Sequence, residues 1–324
     1  MLPPRPLLTK AFRMAAYLIC IGACVCLGLT YGVLLSGAFR PKADVFNMIW
    51  PIPVMAGVLA GTALYVLRPE GLTMLRRVGL AASAVLVLQA LPYAQLQPHP
   101  DSLPPRSETG EALRLASFNH WHLNRDPDAA IAFLREGDFD LVFLQEVGGA
   151  SRQTPLSLQE DYPYQVYCAW GTALISRRPV LEQGCDEYRT VPAAYMQIEY
   201  QGAPLRLTST HFARPTRPDL YQYHRERLSA LIAAQTEHAQ ILAGDFNTAE
   251  KGFSMRALRD ALYPLKRVTH GLRTWPSERA LPFPALGIDH IWISNGLCAS
   301  QTGAAPDAGS DHRPVFTLVE RCET

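Results

Sequence analysis

The chain has 324 residues, of which 48% are hydrophobic, and this length allows one large domain or one domain with accessory segments. Its formal net charge of +1 hides an asymmetry, because only eight of the 30 basic and two of the 29 acidic residues precede residue 98. The remaining 22 basic and 27 acidic residues give the rest of the chain a net charge of −5. This bulk charge argues against a strongly basic protein that wraps nucleic acid, and it leaves room only for a local basic patch.

Three uncharged runs, residues 14–39, 45–67 and 78–96, fill the amino-terminal third of the chain. Each run approaches or exceeds the ~20 residues that a helix needs to cross a bilayer, so we predict three transmembrane helices within residues 1–97. The prolines that follow Trp50 indicate a kinked start of the second helix. Two alternatives stay open. One is a cleaved signal peptide, against which the length of the first run argues, and the other is a buried soluble helical domain.

The basic residues that flank these runs predict the orientation of the chain. Six lie before the first run or between the second and the third, whereas only Arg40 and Lys42 lie in the other loop. Because basic loops stay on the cytoplasmic side, we expect a cytoplasmic amino terminus and an extracytoplasmic position for everything after Leu96. This describes an integral membrane protein of the bacterial inner membrane with a periplasmic domain. The six basic residues are Arg5, Lys10, Arg13, Arg68, Arg76 and Arg77.

A proline-rich segment over residues 98–110 predicts a semi-extended linker to the domain over residues 111–324. This domain contains four cysteines, and an even number in an oxidising compartment favours two disulfide bonds. The partners are expected to lie on neighbouring predicted strands, and free buried thiols are the equal alternative. The expected pairs are Cys168 with Cys185 and Cys298 with Cys322.

Two short strands are predicted near the start of this domain, and each delivers a polar side chain at its end. Residues 113–118 alternate as a strand does, and Asn119 follows them. Residues 141–144 form a wholly apolar strand that ends in Gln145 and Glu146. A carboxylate at the end of an apolar strand is seldom needed for the fold alone, which makes Glu146 a candidate metal ligand. Asn119 alone is a weaker candidate, because asparagine at a strand end is typical of a turn.

Two later strands also end in candidate functional side chains. The strand over residues 205–210 ends at His211, and a lone histidine in such a place is more often structural. Residues 240–243 lead towards Asp245 and Asn247, which lie two apart on an extended segment and therefore point to the same side. One of these side chains can orient a water molecule, and the other can donate a hydrogen bond to a phosphoryl oxygen.

Two acid–histidine pairs complete the candidates, since Asp289 and His290 open one apolar run and Asp311 and His312 precede another. An aspartate beside a histidine at the mouth of a strand can hold a metal ion and transfer a proton. Because neighbours on a strand face opposite ways, we expect His290 to be structural.

Six short motifs occur in order within residues 113–320, and any one of them alone is a common string. All six in this order and at this spacing resemble the endonuclease/exonuclease/phosphatase superfamily. The resemblance implies an α+β fold, a four-layered α/β/β/α sandwich of two mostly antiparallel sheets, preceded here by the three transmembrane helices. It also implies a site where the edges of the two sheets meet. The motifs are residues 117–119 (SFN), 144–147 (LQEV), 209–212 (STHF), 244–247 (GDFN), 288–291 (IDHI) and 310–315 (SDHRPV).

The family resemblance implies hydrolysis of a phosphoester with the help of a divalent cation. Carboxylate and amide ligands suit Mg²⁺ or Mn²⁺, whereas a zinc site would contain more histidine or cysteine. On the family pattern, Glu146 is the chief metal ligand, with Asn119 and Asp311 close by.

The same resemblance assigns the catalytic roles. Asp245 positions or deprotonates the attacking water, and Asn247 stabilises the pentacoordinate phosphorus. His312, held and made more basic by Asp289, acts as an acid/base or as a clamp on the phosphate, with His211 opposite it. Members of the family differ in which residue is the base.

Two residues are predicted to contact the substrate, and the composition of the chain favours one class of substrate over its alternatives. His120, which follows Asn119, and Trp275, whose loop precedes the Asp289 strand, are predicted to line the substrate cleft. Membrane tethering and an acidic outer domain favour a lipid head group over duplex DNA. An extracytoplasmic nuclease that acts on DNA or RNA is one alternative, and a non-catalytic envelope scaffold is another. No obligate protein partner is predicted.

Overall fold

The chain divides into two compact units, an amino-terminal helical unit and a second unit that contains both β-sheets. The predicted linker over residues 98–110 lies outside the described residues, apart from Leu103. The computed structural model describes residues 5–67, 73–93, 103, 111–124, 126–186, 191–277 and 286–322.

The helices of the amino-terminal unit correct the prediction of three transmembrane helices. Two of them, Met14–Ser36 within α1 and Thr73–Ala90, are long and apolar enough to cross a membrane. The middle segment is a pair of helices, Pro41–Met48 and Pro51–Leu67, that is bent by 73° and gives a third span only if the pair crosses as one. The α-helices described in this unit are α1 (Arg5–Ser36), α2 (Val45–Met48), α3 (Pro51–Leu67) and α4 (Thr73–Ala90).

Two prolines explain the break in the middle segment. Pro51 and Pro53 have no amide hydrogen, and a proline ring clashes with the preceding helical turn. The helix therefore restarts at Pro51, because proline is tolerated in the first turn. The 17 residues of α3 extend about 25 Å, which is shorter than the roughly 30 Å of a bilayer core.

Glycines allow α3 to approach its neighbours closely. A Cβ atom on Gly61 would lie 1.8 Å from Ser83 Oγ, and one on Gly57 would lie 2.6 Å from Leu86 Cδ1. These glycines are four residues apart, the spacing at which small residues let transmembrane helices pack together. The apolar helices of this unit therefore have a specific packing, and an apolar α1 is suited to anchor the chain in a membrane.

Twelve strands in the described part of the chain form two six-stranded sheets. In the order in which they pair, the strands of the first sheet are β11 (Leu297–Ala304), β12 (Val315–Arg321), β1 (Leu113–Asn119), β2 (Leu141–Gln145), β4 (Ala173–Ser176) and β3 (Tyr164–Tyr167). Those of the second sheet are β5 (Val180–Cys185), β6 (Ala193–Tyr200), β7 (Ala203–His211), β8 (Ala239–Asp245), β10 (Asp289–Ile293) and β9 (Lys266–Arg267). The accompanying helices are α5 (Pro127–Glu136), α6 (Gln153–Ser157), α7 (Pro218–Ala233) and α8 (Phe253–Ala261).

Alternation along the strands explains the layers of this unit. In β1, Leu113 and Leu115 belong to the apolar core between the two sheets, while Phe118 packs in a separate core that includes Leu134 of α5. A third core joins the second sheet to α7 and α8. Full burial of one large apolar side chain contributes about 1.5–3 kcal/mol, so all three cores stabilise the fold substantially. The two flanked sheets confirm the predicted α/β/β/α sandwich.

Strand directions bring the candidate residues to one end of the sandwich. In the first sheet, β1 and β2 are parallel, and Asn119 lies beside Gln145. In the second, β7 and β8 are parallel, and His211 lies beside Asp245. Strand β10 is antiparallel to β8, so its first residue, Asp289, also lies beside Asp245. Strand β12 is antiparallel to β1, which brings the residues that precede β12 to the same end.

Both expected cysteine pairs are bonded in the structure. The sulfur atoms of Cys168 and Cys185 lie 2.02 Å apart, and those of Cys298 and Cys322 lie 2.05 Å apart. The first bond joins the residue after β3 to the end of β5, so it links the edges of the two sheets. The second joins β11 to the residue after β12. The alternative of free thiols does not hold for these four cysteines.

Candidate active site

Asp245 lies at the centre of the polar end of the sandwich. Its buried Oδ2 atom accepts a hydrogen bond of 3.0 Å from Asn119 Nδ2. The same oxygen lies 3.5 Å from His211 Nε2 and 3.8 Å from His312 Nε2. The fold therefore brings side chains from both sheets around one carboxylate. The candidate residues at this end are Asn119, Glu146, His211, Asp245, Asn247, Asp289, Asp311 and His312.

Glu146 directly follows β2 and adopts a φ of 56°, a left-handed conformation that is costly for a residue other than glycine. Its Oε1 atom accepts a 3.3 Å hydrogen bond from Asn119 and lies 3.8 Å from His211 Nε2. Its Oε2 atom accepts hydrogen bonds from His122. Although burial raises the pKa of Glu146, the hydrogen bonds from His122 and the charge of His211 lower it to about 2. This carboxylate is therefore ionised at any physiological pH.

A tight turn fixes the Asp245 carboxylate. The backbone N–H of Asn247, whose φ is 49°, donates a 2.7 Å hydrogen bond to Asp245 Oδ1. The Asn247 side chain donates to the Phe212 carbonyl oxygen at 2.9 Å and lies 3.4 Å from His211 Nε2. Burial and the negative charge of Asp289 raise the pKa of Asp245 to about 6. Asp245 thus combines a fixed orientation with the basicity of a weak base near neutral pH.

Asp289 and His312 form a buried ion pair beside Asp245. The Nδ1 atom of His312 lies 2.9 Å from Asp289 Oδ2. Burial lowers the pKa of His312, but the charge of Asp289 and the hydrogen bond to it outweigh burial and raise the pKa to about 10. The ring is therefore a cation at neutral pH, and its second nitrogen is directed towards Asp245.

Trp275 lies at the same end of the sandwich, where the sequence predicted it. Its Nε1 atom donates a 3.1 Å hydrogen bond to Asp311 Oδ2, and its ring centroid lies 6.4 Å from that of His312. Within the loop that precedes Asp289, residues 278–285 lie outside the described residues. The Trp275 indole N–H thus helps to orient Asp311, and its contact with a substrate stays a prediction.

Two sets of side chains at this end could hold a metal ion. The ligand atoms of the tighter set, Asp245, Asp289 and His312, lie within 4.8 Å of one another. However, His312 Nδ1 already bonds Asp289, and its high pKa keeps the ring protonated. A cationic ring repels a metal ion and offers no lone pair, so this set fits a cation poorly.

The second set consists of oxygen ligands and fits a hard divalent cation better. Glu146 is ionised, and the buried Oδ1 atom of Asp311 has no hydrogen-bond partner in the described ranges. Burial raises the pKa of Asp311, and the negative charges of Glu146 and Asp289 add to this rise. Such oxygens suit Mg²⁺ or Mn²⁺. The Asn119 amide presents nitrogen here, because its oxygen accepts the N–H of Trp121 at 3.0 Å, so it must turn over to become a ligand.

The structure corrects the prediction that His120 binds substrate. Its side chain is fully buried, with Nε2 2.6 Å from Thr154 Oγ1, and burial lowers its pKa to about 4. Because the His120 N–H extends the pairing with β2, its side chain follows the strand into the core beside Phe118. His122 lies in the turn that follows and reaches Glu146 instead. The two histidines are two residues apart, and only the conformation of this turn distinguishes them.

Sequence reasoning also missed a polar bridge beneath the site. The Gln145 side chain of the first sheet donates a 3.1 Å hydrogen bond to Ser209 Oγ of the second sheet. Ser209 in turn donates to the carbonyl oxygen of Leu144 at 3.1 Å. These buried groups join the two sheets directly behind Glu146. The inward-facing Gln145 in an otherwise apolar strand was the available signal.

His290 is structural, as its alternation on β10 predicted. Its Nε2 atom lies 2.9 Å from the Thr248 carbonyl oxygen and its Nδ1 atom 3.2 Å from Thr269 Oγ1, which satisfies a neutral ring. Burial lowers its pKa from 6.5 to about 3. Below about pH 6.5 the unfolded chain binds a proton here that the folded chain binds only near pH 3, so stability falls as the pH falls through this window.

We expect the substitution His290→Gln to reduce the acid sensitivity of the sandwich. Between about pH 7 and pH 5 the variant should lose about 2 kcal/mol less unfolding free energy than the unaltered chain. Urea unfolding of the full-length protein in detergent, followed by tryptophan fluorescence, measures this difference. His270→Gln, at a ring that is 58% exposed, is the control. Equal losses in the His290 variant and the unaltered chain would contradict a neutral buried His290.

Comparisons with known proteins agree with this arrangement. The model of the Endonuclease/Exonuclease/phosphatase family matches residues 116–312. No curated protein sequence matches the chain. Among solved structures, an endonuclease/exonuclease/phosphatase from Bacteroides vulgatus is 18% identical, with a TM-score of 0.57, over 65% of this chain and 99% of that one.

Two further structures are similar in fold. A humanized D. rerio TDP2 is 19% identical, with a TM-score of 0.54, over 65% of this chain and 99% of that one. A beta toxin variant from Staphylococcus aureus, solved with bound magnesium ions, is 16% identical, with a TM-score of 0.50, over 64% of this chain and 99% of that one. The family match covers more than half of the chain and spans all the candidate residues from Asn119 to His312. The chain therefore belongs to the endonuclease/exonuclease/phosphatase family.

Proposed function

We propose that this chain is a membrane-tethered, divalent-metal-dependent phosphodiester hydrolase that acts outside the cytoplasm. Members of its family are generally phosphoester hydrolases. The observation that carries the proposal is the position of Asp245, whose Oδ2 atom lies within 3.8 Å of Asn119, His211 and His312 side-chain nitrogens. A buried base surrounded by hydrogen-bond donors is what water attack on a phosphoryl group requires.

Glu146 and Asp311 would hold Mg²⁺ or Mn²⁺, with Asn119 beside them once its amide turns over. When bound, the cation supplies positive charge for a non-bridging phosphoryl oxygen. The two carboxylates come from different parts of the first sheet's end, and Trp275 fixes one of them through its indole N–H. The chain's own contribution is therefore a pair of oriented, negatively charged oxygen ligands.

Asp245 would orient the attacking water and accept its proton. The Asn247 N–H occupies Oδ1, which leaves Oδ2 directed towards His211 and His312. With a pKa of about 6 the carboxylate is ionised at neutral pH, and it is also basic enough to accept a proton from water in the transition state. The Asp245 side chain would thus provide both the fixed orientation of the attacking water and the basicity that accepts its proton.

His312 would bind the phosphoryl group as a cation. Its Asp289 partner keeps it charged and fixes the ring, so Nε2 presents a charged N–H to the cleft. A charged N–H is a stronger donor to a phosphoryl oxygen than a neutral one, and it can pass its proton to the leaving group. Asn247 and His211, whose side chains lie 3.4 Å apart, would contact other oxygens of the same group.

Two observations support the extracytoplasmic location, and that location sets one requirement on the membrane spans. The basic residues flanking the apolar runs favour a cytoplasmic amino terminus. An extracytoplasmic sandwich then requires an odd number of crossings, so the bent helix pair would cross the bacterial inner membrane as a single broken span. The two disulfide bonds are typical of an oxidising compartment such as the periplasm.

The proposed substrate is a lipid head group or another envelope phosphodiester. The net charge of −5 after residue 97 disfavours duplex DNA, whose phosphates attract basic proteins. Tethering keeps the site near membrane lipids and raises their effective concentration. Nuclease activity on DNA or RNA is the competing outcome of the same test.

We expect the purified full-length chain in detergent to hydrolyse at least one phosphodiester in a panel of phospholipids, sugar phosphates, single-stranded DNA and duplex DNA. Chelation by EDTA should lower the rate by at least about 10²-fold, and added Mg²⁺ or Mn²⁺ should restore it. Product release from each substrate measures both effects. Activity that resists chelation would contradict the metal-dependent mechanism, and inactivity on the whole panel would favour a scaffold.

A further inference from the structure

The two oxygen atoms of Glu146 lie in different environments. Oε2 accepts two hydrogen bonds from the same residue, one of 3.2 Å from the backbone N–H of His122 and one of 2.6 Å from its Nδ1. Among the residues that the structure describes, the contacts of Oε1 are the 3.3 Å hydrogen bond from Asn119 Nδ2 and the 3.8 Å approach of His211 Nε2. One oxygen is therefore occupied by a two-point clamp, while the other stays accessible to a ligand.

The clamp is built into the turn that follows β1. Asn119 Oδ1 accepts the N–H of Trp121 at 3.0 Å, and the N–H of Asn124 donates to the Trp121 carbonyl oxygen at 2.8 Å. Trp121 itself has a φ of 57°, which turns the chain so that His122 presents both its backbone and its ring to Glu146. The left-handed Trp121 and the Asn124–Trp121 hydrogen bond thus set the position of His122 without relying on the orientation of the Asn119 amide.

We propose that His122 is a positioning residue that restricts Glu146 to coordination through Oε1 alone, and that it thereby makes the site prefer a small octahedral cation to Ca²⁺. This inference rests on the metal site of the proposed function. Mg²⁺ takes six ligands at about 2.0–2.1 Å and accepts single carboxylate oxygens. Ca²⁺ takes six to eight ligands and commonly uses both oxygens of one carboxylate, which the His122 clamp prevents.

The chain offers a matched control for this contact. His270 Nδ1 lies 3.0 Å from Glu250 Oε1, and the side chains of His122 and His270 are both 58% exposed. Both histidines therefore make the same kind of contact with a partly buried glutamate from a similarly exposed position. Glu250 bonds Arg267 and the Gly271 N–H and is not among the residues at the site.

The experiment is calorimetric titration of the full-length protein in detergent with Mg²⁺ alone and with Ca²⁺ alone. For His122→Ala we expect about a tenfold loss of Mg²⁺ affinity, the usual effect of removing a residue that orients a metal ligand, with Ca²⁺ affinity unchanged or increased. His122→Asn keeps a side-chain N–H near the Nδ1 position, so it should restore most of the Mg²⁺ preference. His270→Ala should leave both affinities unchanged.

The outcomes separate this inference from the proposed function. Equal losses for both cations in His122→Ala, or a similar change in His270→Ala, would overturn the role of His122 while leaving the metal site standing. Absence of Mg²⁺ binding by the unaltered chain, or unchanged binding by Glu146→Gln, would overturn the metal site itself and this inference with it. A lower ratio of Mg²⁺ to Ca²⁺ affinity in His122→Ala, restored in His122→Asn, would support the proposal.

Discussion

Replacing Asp245 with asparagine should lower the rate of phosphoester hydrolysis by about 10³-fold or more without unfolding the protein. Asparagine has the size of aspartate and can keep the contact with the Asn247 N–H, but it cannot accept a proton from water. The loss should therefore appear in kcat rather than in KM, because the missing interaction belongs to the transition state. Steady-state kinetics on the best substrate of the panel measure it.

Stability provides the internal check on this prediction. Asp245 and Asp289 are buried side by side, and their mutual repulsion contributes to the raised pKa of Asp245. Removing one charge relieves that repulsion, so the urea midpoint of Asp245→Asn should be unchanged or higher. Asp140→Asn is the control, since Asp140 is a buried aspartate that precedes β2 at the opposite end and accepts the Arg114 N–H at 2.9 Å. If the Asp245→Asn variant retains the kcat of the unaltered chain, Asp245 is not the base.

Strand ends were the most predictable part of the site. Glu146 follows a strand of four apolar residues and Gln145, so its carboxylate must lie at the end of a strand, in whichever sheet that strand pairs. His211 and Asp245 likewise end their strands, and their parallel pairing follows once the family fold is known. The local pattern of residues therefore predicted that these side chains lie at strand ends. The family resemblance was needed to predict that they meet in one site. The pairing of Asp289 with His312, 23 residues apart in sequence, depended on that resemblance entirely.

Features that depend on a turn or on packing were not predictable. His120 and His122 are equivalent in any pattern of residue types, and the left-handed Trp121 between them decides which one reaches Glu146. The bridge from Gln145 to Ser209 joins residues of different sheets, so the polar Gln145 in an apolar strand indicates that a polar partner exists but not which residue it is. In the apolar region the prolines after Trp50 predicted a kinked start of the second helix, but not a pair of helices bent by 73° that gives a third span only if the pair crosses as one.

Asp289→Asn should produce the most informative loss of activity. The charge of Asp289 raises the pKa of His312 and also that of Asp245, so its removal lowers both. At neutral pH the buried His312 ring would then lose its proton and its charged N–H, and we expect the rate to fall by about 10²- to 10⁴-fold.

The pH profile distinguishes this mechanism from simple damage to the fold. In the unaltered chain, activity should rise with pH as Asp245 ionises near pH 6 and fall as His312 deprotonates near pH 10. In Asp289→Asn both limbs should move to lower pH, because one negative charge had raised both pKa values. Part of the lost activity should therefore return on acidification, and the imidazole of His312 should titrate at lower pH by NMR. A profile that is reduced in height with unmoved limbs would mean that Asp289 only supports the fold, since structural damage does not displace both titrations in one direction.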